Sequence, residues 1–247
     1  FEAPQPVEPW QGVLPGDRFG KQCPQQYGGK VRRDVLESKI YGEECLCLNV
    51  YRPEVETTAP LPVMVWIHGG AFMAGGANSY DASRLAAEGR IIVVTINYRV
   101  GVLGFVNFAE ALGIPAIPSN LGLRDQIAAL EWVRDNIEAF GGDPSRVTIC
   151  GQSAGSMSIS LLMLSPAARG LFHGAIMQSG AVSLIHDRER SVRDARRFAE
   201  VLKLDQGSLN RLKTMDITDL MAAQVAVGGQ LTNAIPAAPW YDGDVLP

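Results

Sequence analysis

Strand-like and helix-like segments alternate along this 247-residue chain, and the alternation restricts its fold more than any other feature. The run 91-IIVVTINY is almost wholly apolar and rich in β-branched residues, which is typical of a parallel strand buried on both faces. A second strand is predicted over 62–68, and a short helix between the two begins at Asp81 or Ser83 and ends at Gly89. Such a βαβ unit predicts a mostly parallel sheet with helices on both faces, where ligands bind at the carboxyl ends of the strands.

The same pattern continues on both sides of this unit. Further strands are predicted over 46–51, 146–150 and 172–179, and further helices over 120–138, 154–163 and 187–225. Asn120 is predicted to cap the first of these helices, and Gly141 with Gly142 to end it. In the charge-dense segment 187-DRERSVRDARRFAE the apolar residues share one stripe, which favours a solvated helix over a basic binding site.

The length fits one large domain or a domain and a half. We expect the whole of 1–247 to form part of a single α/β domain. Within it, 1–45 is predicted to be an irregular N-terminal excursion, 46–180 to hold the core strands and the site motifs, and 181–247 to be a helical region.

Charge and hydropathy exclude several classes of function. The net charge is −4 and the sequence pI is about 5.4, so the chain has no basic footprint for nucleic acid or for an anionic membrane surface. The apolar runs, such as 63–67 and 91–96, are far shorter than the roughly 18 residues of a membrane-spanning helix. The four cysteines include no CxxC pair and no Cys/His cluster at zinc spacing, so no structural metal site is predicted.

Residues 151–155, Gly-Gln-Ser-Ala-Gly, match the G-x-S-x-G nucleophile elbow. In that motif a serine occupies a strained turn between a strand and a helix, and its flanking glycines avoid collisions with neighbouring backbone. Here Ser153 comes directly after a predicted buried strand and directly before a predicted helix, which is the context that the motif requires.

A second motif, 66-WIHGGAF, closes another predicted strand upstream of the serine. Backbone amides of a glycine-rich loop in this position can converge on the oxygen that becomes negative in a tetrahedral intermediate. The alternative is an ordinary glycine-rich turn or a turn that binds phosphate. Phosphate binding is disfavoured, because the chain contains neither a Walker G-x-x-x-x-G-K-[ST] sequence nor a G-x-G-x-x-G sequence.

These two motifs and four further segments resemble the type-B carboxylesterase and cholinesterase-like family. The further segments are 43-EECLCLNVYRP, 97-NYRVGVLGF, 177-MQSG and the long run that begins at 121-LGLRDQ. The resemblance runs almost from end to end and implies an α/β-hydrolase fold. It also implies hydrolysis of a small-molecule carboxylic ester through a serine acyl-enzyme, without a metal or other cofactor. By this resemblance Ser153 is the nucleophile, and the N–H groups of Gly70, Ala71 and Ala154 form the oxyanion hole.

Two residues depart from the pattern of the family. Ala71 replaces a commoner glycine, which keeps the N–H but narrows the acyl side of the site. Gln152 replaces the usual glutamate, and the loss of that negative charge is expected to weaken any preference for cationic, choline-like substrates.

The resemblance also pairs Cys23 with Cys45 in a disulfide, the alternative being two reduced thiols. A bridge would favour an oxidising compartment, secreted or periplasmic. Cys47 and Cys150 are expected to pack as small buried hydrophobes on strands.

None of the three histidines matches the catalytic histidine of the family. His68 belongs to the glycine-rich motif 66-WIHGGAF, which the resemblance makes the oxyanion loop. His173 matches a structural position, and His186 is expected in an exposed loop. Asp242 and Asp244 match a motif that is not catalytic.

The catalytic acid and histidine are therefore expected beyond residue 247, in a C-terminal segment of the same protein that would be a necessary partner. Phe1 lies inside the N-terminal motif of the family, so the chain is expected to be an internal portion of a longer esterase. The alternatives are a non-catalytic adhesion or binding relative and an inactive fragment of the same fold.

Overall fold

The structure is a computed structural model that describes residues 1–26, 33–36, 38–56, 58–229 and 235–247. Within these ranges, five strands form one sheet in the order β1, β3, β2, β4, β5. Their bounds are β1 Leu48–Tyr51, β2 Leu61–Ile67, β3 Ile92–Ile96, β4 Gly142–Gln152 and β5 Gly174–Gln178. β1 is antiparallel to β3 and the other three pairs are parallel, so the predicted mostly parallel sheet is confirmed.

Helices precede, separate and follow these strands. Their bounds are α1 Arg33–Leu36, α2 Ser83–Gly89, α3 Gly101–Phe105, α4 Phe108–Leu112, α5 Leu121–Asn136, α6 Ala154–Leu164, α7 Arg188–Leu202, α8 Leu209–Lys213 and α9 Ile217–Gly229. No helix in the described ranges combines the length and the apolarity that crossing a bilayer requires.

The prediction of continuous helix over 187–225 is wrong, since three helices occupy this stretch. Lys203 ends α7 in the left-handed conformation, with φ of 53°. The carboxylate of Asp205 then accepts hydrogen bonds from the hydroxyl of Ser208, at 2.7 Å, and from the N–H of Gly207, at 3.0 Å. Short polar side chains that bond nearby backbone in this way favour turns over helix.

Asn120 precedes α5 as predicted, but its side chain does not cap the helix. The amide accepts a hydrogen bond from the N–H of Trp240 and donates one to the carbonyl oxygen of Trp240, at 3.1 and 2.8 Å. It also donates to Asp242, 122 residues further along the chain. The predicted cap is therefore a tertiary contact that ties the start of α5 to the segment 239–242.

The strands carry apolar residues to two separate layers because successive side chains point to opposite faces of a sheet. Val94 and Ile96 of β3 lie in the main core, which also contains the inner stripe of α5. That stripe consists of Leu123, Ile127, Leu130 and Val133, as its periodicity predicts. Val93 points the other way and packs on Ala86 of α2. Helices thus cover both faces of the sheet.

The parallel pairing of β2 with β4 brings two connections together at one edge of the sheet. Ile67, the last residue of β2, lies opposite Gly151 of β4, and Gln152 lies opposite Gln178 of β5. The carboxyl ends of three neighbouring strands therefore meet at one level. The segments that follow β2 and β4, which contain the two sequence motifs, leave the sheet side by side.

Candidate active site

Ser153 forms the turn between β4 and α6, as the elbow motif predicts. Its backbone has φ of 56° and ψ of −120°, a conformation that residues other than glycine rarely adopt. Hydrogen bonds hold the turn on both sides: the N–H of Ser153 donates to the carbonyl oxygen of Gln178, and its own carbonyl oxygen accepts from the N–H of Met157, each at 2.9 Å. The strained serine is thereby fixed to β5 and to α6.

The two glycines of the elbow are required by the close approach of β2. A β-carbon on Gly155 would overlap the carbonyl oxygen of Ile67. One on Gly151 would lie 2.9 Å from the same oxygen and 2.6 Å from the backbone carbon of Gly155. Side chains at either position would push the elbow away from the end of β2.

The loop 68–75 runs across the elbow. A β-carbon on Gly69 would lie 2.6 Å from the carbonyl oxygen of Gln152 and 3.3 Å from the β-carbon of Ser153. Gly70, Ala71 and Phe72 then follow with φ of 117°, 55° and 60°. This run of positive φ values curls the backbone next to the serine.

The curl is closed by the carbonyl oxygen of Gly70, which accepts hydrogen bonds from the N–H groups of Met73 and Ala74 at 2.9 and 3.1 Å. Within the described residues, the N–H groups of Gly70, Ala71 and Ala154 donate to no protein acceptor. Ala154 also begins the eleven-residue helix α6, whose first turn carries partial positive charge. Free amides at a helix N-terminus and in a curled loop are suited to bind a developing negative charge.

His68 supports this loop as a neutral ring. It is completely buried and stacks on Tyr98, with ring centroids 4.2 Å apart. Its Nδ1 lies 2.8 Å from the carbonyl oxygen of Gly69, which can only accept, so Nδ1 carries the proton. Burial lowers the pKa of His68 to about 4. Among the described residues its Nε2 has no partner, so the ring positions the loop and does not act on the hydroxyl of Ser153.

His173 lies at the opposite edge of the sheet. It is exposed and directly precedes β5, where its N–H donates to the carbonyl oxygen of Val147 at 2.8 Å. Its Nδ1 accepts from the N–H of the same residue at 3.3 Å. Five strand positions separate it from Gln178, or roughly 16 Å at about 3.3 Å per residue, so it is remote from the elbow. This placement agrees with a structural role.

The prediction of an exposed loop for His186 is wrong. Only 3% of its surface is exposed, because its backbone pairs with Trp240 and its N–H donates to the carbonyl oxygen of Pro239 at 2.9 Å. Burial, aided by the charge of Arg190, lowers the pKa of His186 to about 4. Sequence reasoning could not detect this burial, since the covering segment is distant in the chain.

The hydroxyl of Ser153 has no hydrogen-bond partner within the described part of the chain, so the structure supplies no general base to it. Asp242 is engaged elsewhere: it accepts from Asn120 and from the N–H of Leu246, both at 2.8 Å. Asp244 pairs with Arg124. In the described ranges, no three His, Cys, Asp or Glu side chains cluster as metal ligands would.

Cys23 and Cys45 are joined by a disulfide, as the resemblance implies, and both are buried. Cys150 is buried in β4, but Cys47 lies before β1 and is only half-buried. The amide of Asn97 donates to its sulfur at 3.2 Å, and burial raises the pKa of the Cys47 thiol.

Sequence reasoning missed one residue of this region, Gln25. Its side chain is bonded to the backbone of Gly75, at the end of the loop 68–75. The only sequence signal is its place two residues after a bridged cysteine.

Comparison with known proteins decides the family. A statistical model of the carboxylesterase family matches residues 1–247. The chain belongs to the carboxylesterase family. Para-nitrobenzyl esterase from Bacillus subtilis (strain 168) is 46% identical over 225 residues, which cover 90% of this chain and 45% of that protein. Human bile salt-activated lipase is 39% identical over an alignment of 267 residues, which covers 100% of this chain and 34% of that protein.

Solved structures of carboxylesterase relatives have the same fold. A PNB esterase structure superposes with a TM-score of 0.90 at 43% identity and covers 100% of this chain and 51% of its own. A thermophilic PNB esterase gives a TM-score of 0.89 at 44% identity. These results confirm the α/β-hydrolase fold. The chain spans between about a third and about half of the length of these relatives.

The backbone strain at Ser153 can be measured with two substitutions that both remove the hydroxyl. Ser153→Gly relieves the positive φ and Ser153→Ala does not, so we expect the glycine variant to have a free energy of unfolding about 1 kcal/mol higher. Urea unfolding measures the difference. Ser158, inside α6, is the matched control, where glycine should instead be about 1 kcal/mol less stable than alanine. The same order at both positions would contradict strain at the elbow.

Acid should destabilise the protein through His68. Its pKa lies near 4 in the folded protein and near 6.5 as the ordinary value. The unfolded chain therefore takes up a proton below about pH 6.5 that the folded protein does not, and stability falls as pH drops from about 6.5 to 4, by up to about 1.4 kcal/mol per pH unit. His186 has an equally lowered pKa and contributes to the same fall. His68→Phe keeps a ring on Tyr98 without a titrating nitrogen, so in urea unfolding it should reduce this slope and leave the part that His186 contributes.

Above pH 7.5 the two proteins should show the same pH dependence, which provides an internal control. An undiminished slope in the variant between pH 6.5 and 4.5 would show that His68 is not the source.

Proposed function

We propose that this protein is a carboxylic-ester hydrolase in which Ser153 attacks the ester carbonyl. The observation that carries the proposal is the strained serine beneath a curled loop, with the free amides of Gly70, Ala71 and Ala154 beside it. In the first step the serine oxygen bonds to the carbonyl carbon, and the carbonyl oxygen becomes an oxyanion that accepts hydrogen bonds from those amides. The alcohol then leaves with a proton, and water hydrolyses the acyl-enzyme.

The serine needs a base to accept its proton and return it to the departing alcohol. We infer that the histidine and its acidic partner lie beyond residue 247, in a C-terminal segment of the same protein. The support is the position of each histidine here: His68 is neutral and locked in the loop, His173 is remote, and His186 is buried against Trp240. We also propose that all 247 residues belong to a single domain.

The substrate we propose is a small neutral ester. Gln152 places an uncharged amide next to the nucleophile, so no carboxylate attracts a cationic group there. The methyl group of Ala71 narrows the space beside the loop. The relatives named para-nitrobenzyl esterase and bile salt-activated lipase support an ester as the bond cleaved. The proposed chemistry uses no metal or cofactor, and the Cys23–Cys45 disulfide supports an oxidising compartment.

A fluorophosphonate, which modifies activated serines, tests the assignment directly on the protein in its natural length. We expect the adduct to map to Ser153. Ser153→Ala should abolish labelling and lower kcat for an aryl ester by about 10⁶-fold, because the nucleophile of the acyl-enzyme route is lost. Ser83→Ala, at an exposed position on α2, is the control and should retain both.

Hydrolysis that survives unchanged in Ser153→Ala would overturn the assignment. An unlabelled Ser153 with no ester hydrolysis would instead support a non-catalytic relative of the same fold.

The neutral amide at Gln152 predicts the response to charge. Gln152→Glu should raise kcat/KM for a choline ester about fivefold relative to its uncharged 3,3-dimethylbutyl isostere, because a carboxylate a few ångströms from the cation contributes about 1 kcal/mol. Gln178→Glu, at the corresponding end of β5, tests whether a charge one strand away has the same effect. An unchanged ratio in Gln152→Glu would show that this side chain does not face the alcohol group.

A further inference from the structure

We propose that Gln25 is a positioning residue for the oxyanion loop, and that the Cys23–Cys45 disulfide acts on the loop through it. This inference rests on the proposed function, because it assigns Gln25 a role in the same site. Gln25 lies in the N-terminal segment, 50 residues before its partner Gly75.

The contact between them satisfies both polar groups of Gly75. The side-chain N–H of Gln25 donates to the carbonyl oxygen of Gly75, and the N–H of Gly75 donates to the side-chain oxygen of Gln25, each at 2.8 Å. A second side-chain N–H of Gln25 donates to the carbonyl oxygen of Cys23 at 3.1 Å. Only 8% of Gln25 is exposed, so this paired contact is shielded from water. One side chain thus reproduces the paired hydrogen bonds of a β-bridge.

Gly75 is in turn packed against the start of the loop. Its φ is 117°, and a β-carbon there would overlap Nδ1 of His68 and lie 2.5 Å from the carbonyl oxygen of Gly69. The backbone of Gly75 therefore supports the residues that precede Gly70 and Ala71. A shift of Gly75 would therefore displace the N–H groups of Gly70 and Ala71.

The disulfide fixes the other end of this contact. Cys23 and Cys45 are each 1% exposed, and the bridge closes across 22 residues. Gln22, next to Cys23, packs closely on Gly76, the residue that follows the loop 68–75. A β-carbon on Gly76 would lie only 2.7 Å from the side chain of Gln22. The N–H of Gln22 donates to the carbonyl oxygen of Ile40 at 2.7 Å. The segment that presents Gln25 is therefore tied to the rest of the fold through Cys23 and Gln22.

An oxyanion hole stabilises charge that develops only in the transition state, so a small displacement of its donors should reduce kcat more than substrate binding. Loss of one such donor typically costs about 10²- to 10³-fold in kcat, and a displaced loop should cost part of that.

Gln25→Met, which keeps the length of the side chain and removes its hydrogen bonds, tests the proposal in the protein at its natural length. We expect kcat for an aryl ester to fall about 10- to 100-fold while KM changes less than about threefold. The inhibition constant of a trifluoromethyl ketone, whose hydrate or serine adduct presents an oxyanion, should rise by the same factor as kcat/KM falls. Gln5→Met is the control, since Gln5 is exposed and, within the described ranges, its side chain bonds only the nearby Ala3.

Gln25→Glu keeps the acceptor for the N–H of Gly75 but lacks the two donors, so its kcat should lie at or below that of Gln25→Met. Equal increases in KM and in the inhibition constant, with kcat unchanged, would overturn the positioning role. Thermal unfolding of each variant separates a displaced loop from general loss of structure.

The role of the disulfide is tested by adding Gln25→Met to Cys23→Ser/Cys45→Ser. If the bridge acts through Gln25, the substitution should lower kcat less in this background than in the wild-type protein. If Gln25→Met lowers kcat by the same factor with and without the bridge, the role of the disulfide is overturned.

Fluorophosphonate labelling of the wild-type protein separates the two proposals. A wild-type protein labelled at Ser153, together with an unaffected Gln25→Met variant, overturns the role of Gln25 alone. A wild-type protein that is not labelled overturns the proposed function and this inference together.

Discussion

The parallel pairing of β2 with β4 is the constraint on which the rest of the site depends. The register that places Ile67 opposite Gly151 brings the two strand ends to one level, and the carbonyl oxygen of Ile67 reaches the space where a β-carbon of Gly155 would lie. The elbow and the loop 68–75 are therefore packed backbone against backbone. A side chain between them would push the loop and the elbow apart, so the glycines at 69, 151 and 155 have one physical cause.

Backbone strain is concentrated at this edge of the sheet. Among the described non-glycine residues with positive φ, four follow the ends of β2, β4 and β5: Ala71, Phe72, Ser153 and Ser179. Two others, Arg90 and Lys203, end α2 and α7, where a left-handed residue is common. Strained residues persist only where surrounding structure fixes them. Here the buried strands, the stacked rings of His68 and Tyr98, and the hydrogen bond from Ser153 to Gln178 supply that restraint.

Local features of this fold were predictable because they depend on local physics. β-Branched runs predict the strands, the stripe of α5 follows from helical periodicity, and Ser153 is recognisable because its motif is contiguous in sequence. The break after α7 is an exception, since the local hydrogen bonds of Asp205 cause it. Three other features have the opposite origin. Asn120 bonds Trp240 in place of a helix end, His186 is covered by Pro239, and Gln25 reaches Gly75 across 50 residues. No periodicity or spacing encodes such contacts, since each partner is chosen by the folded topology.

Burial determines the charge of His68 in the loop 68–75. A protonated His68 would have to lose its solvation in a completely buried position, so the ring stays neutral above about pH 5, given its pKa of about 4. Its single proton, on Nδ1, is then always directed to the carbonyl oxygen of Gly69. The protonation state of His68 is therefore constant across the neutral range. If Ser153 acts as we propose, the pH dependence of hydrolysis near neutrality should therefore contain no contribution from the titration of His68.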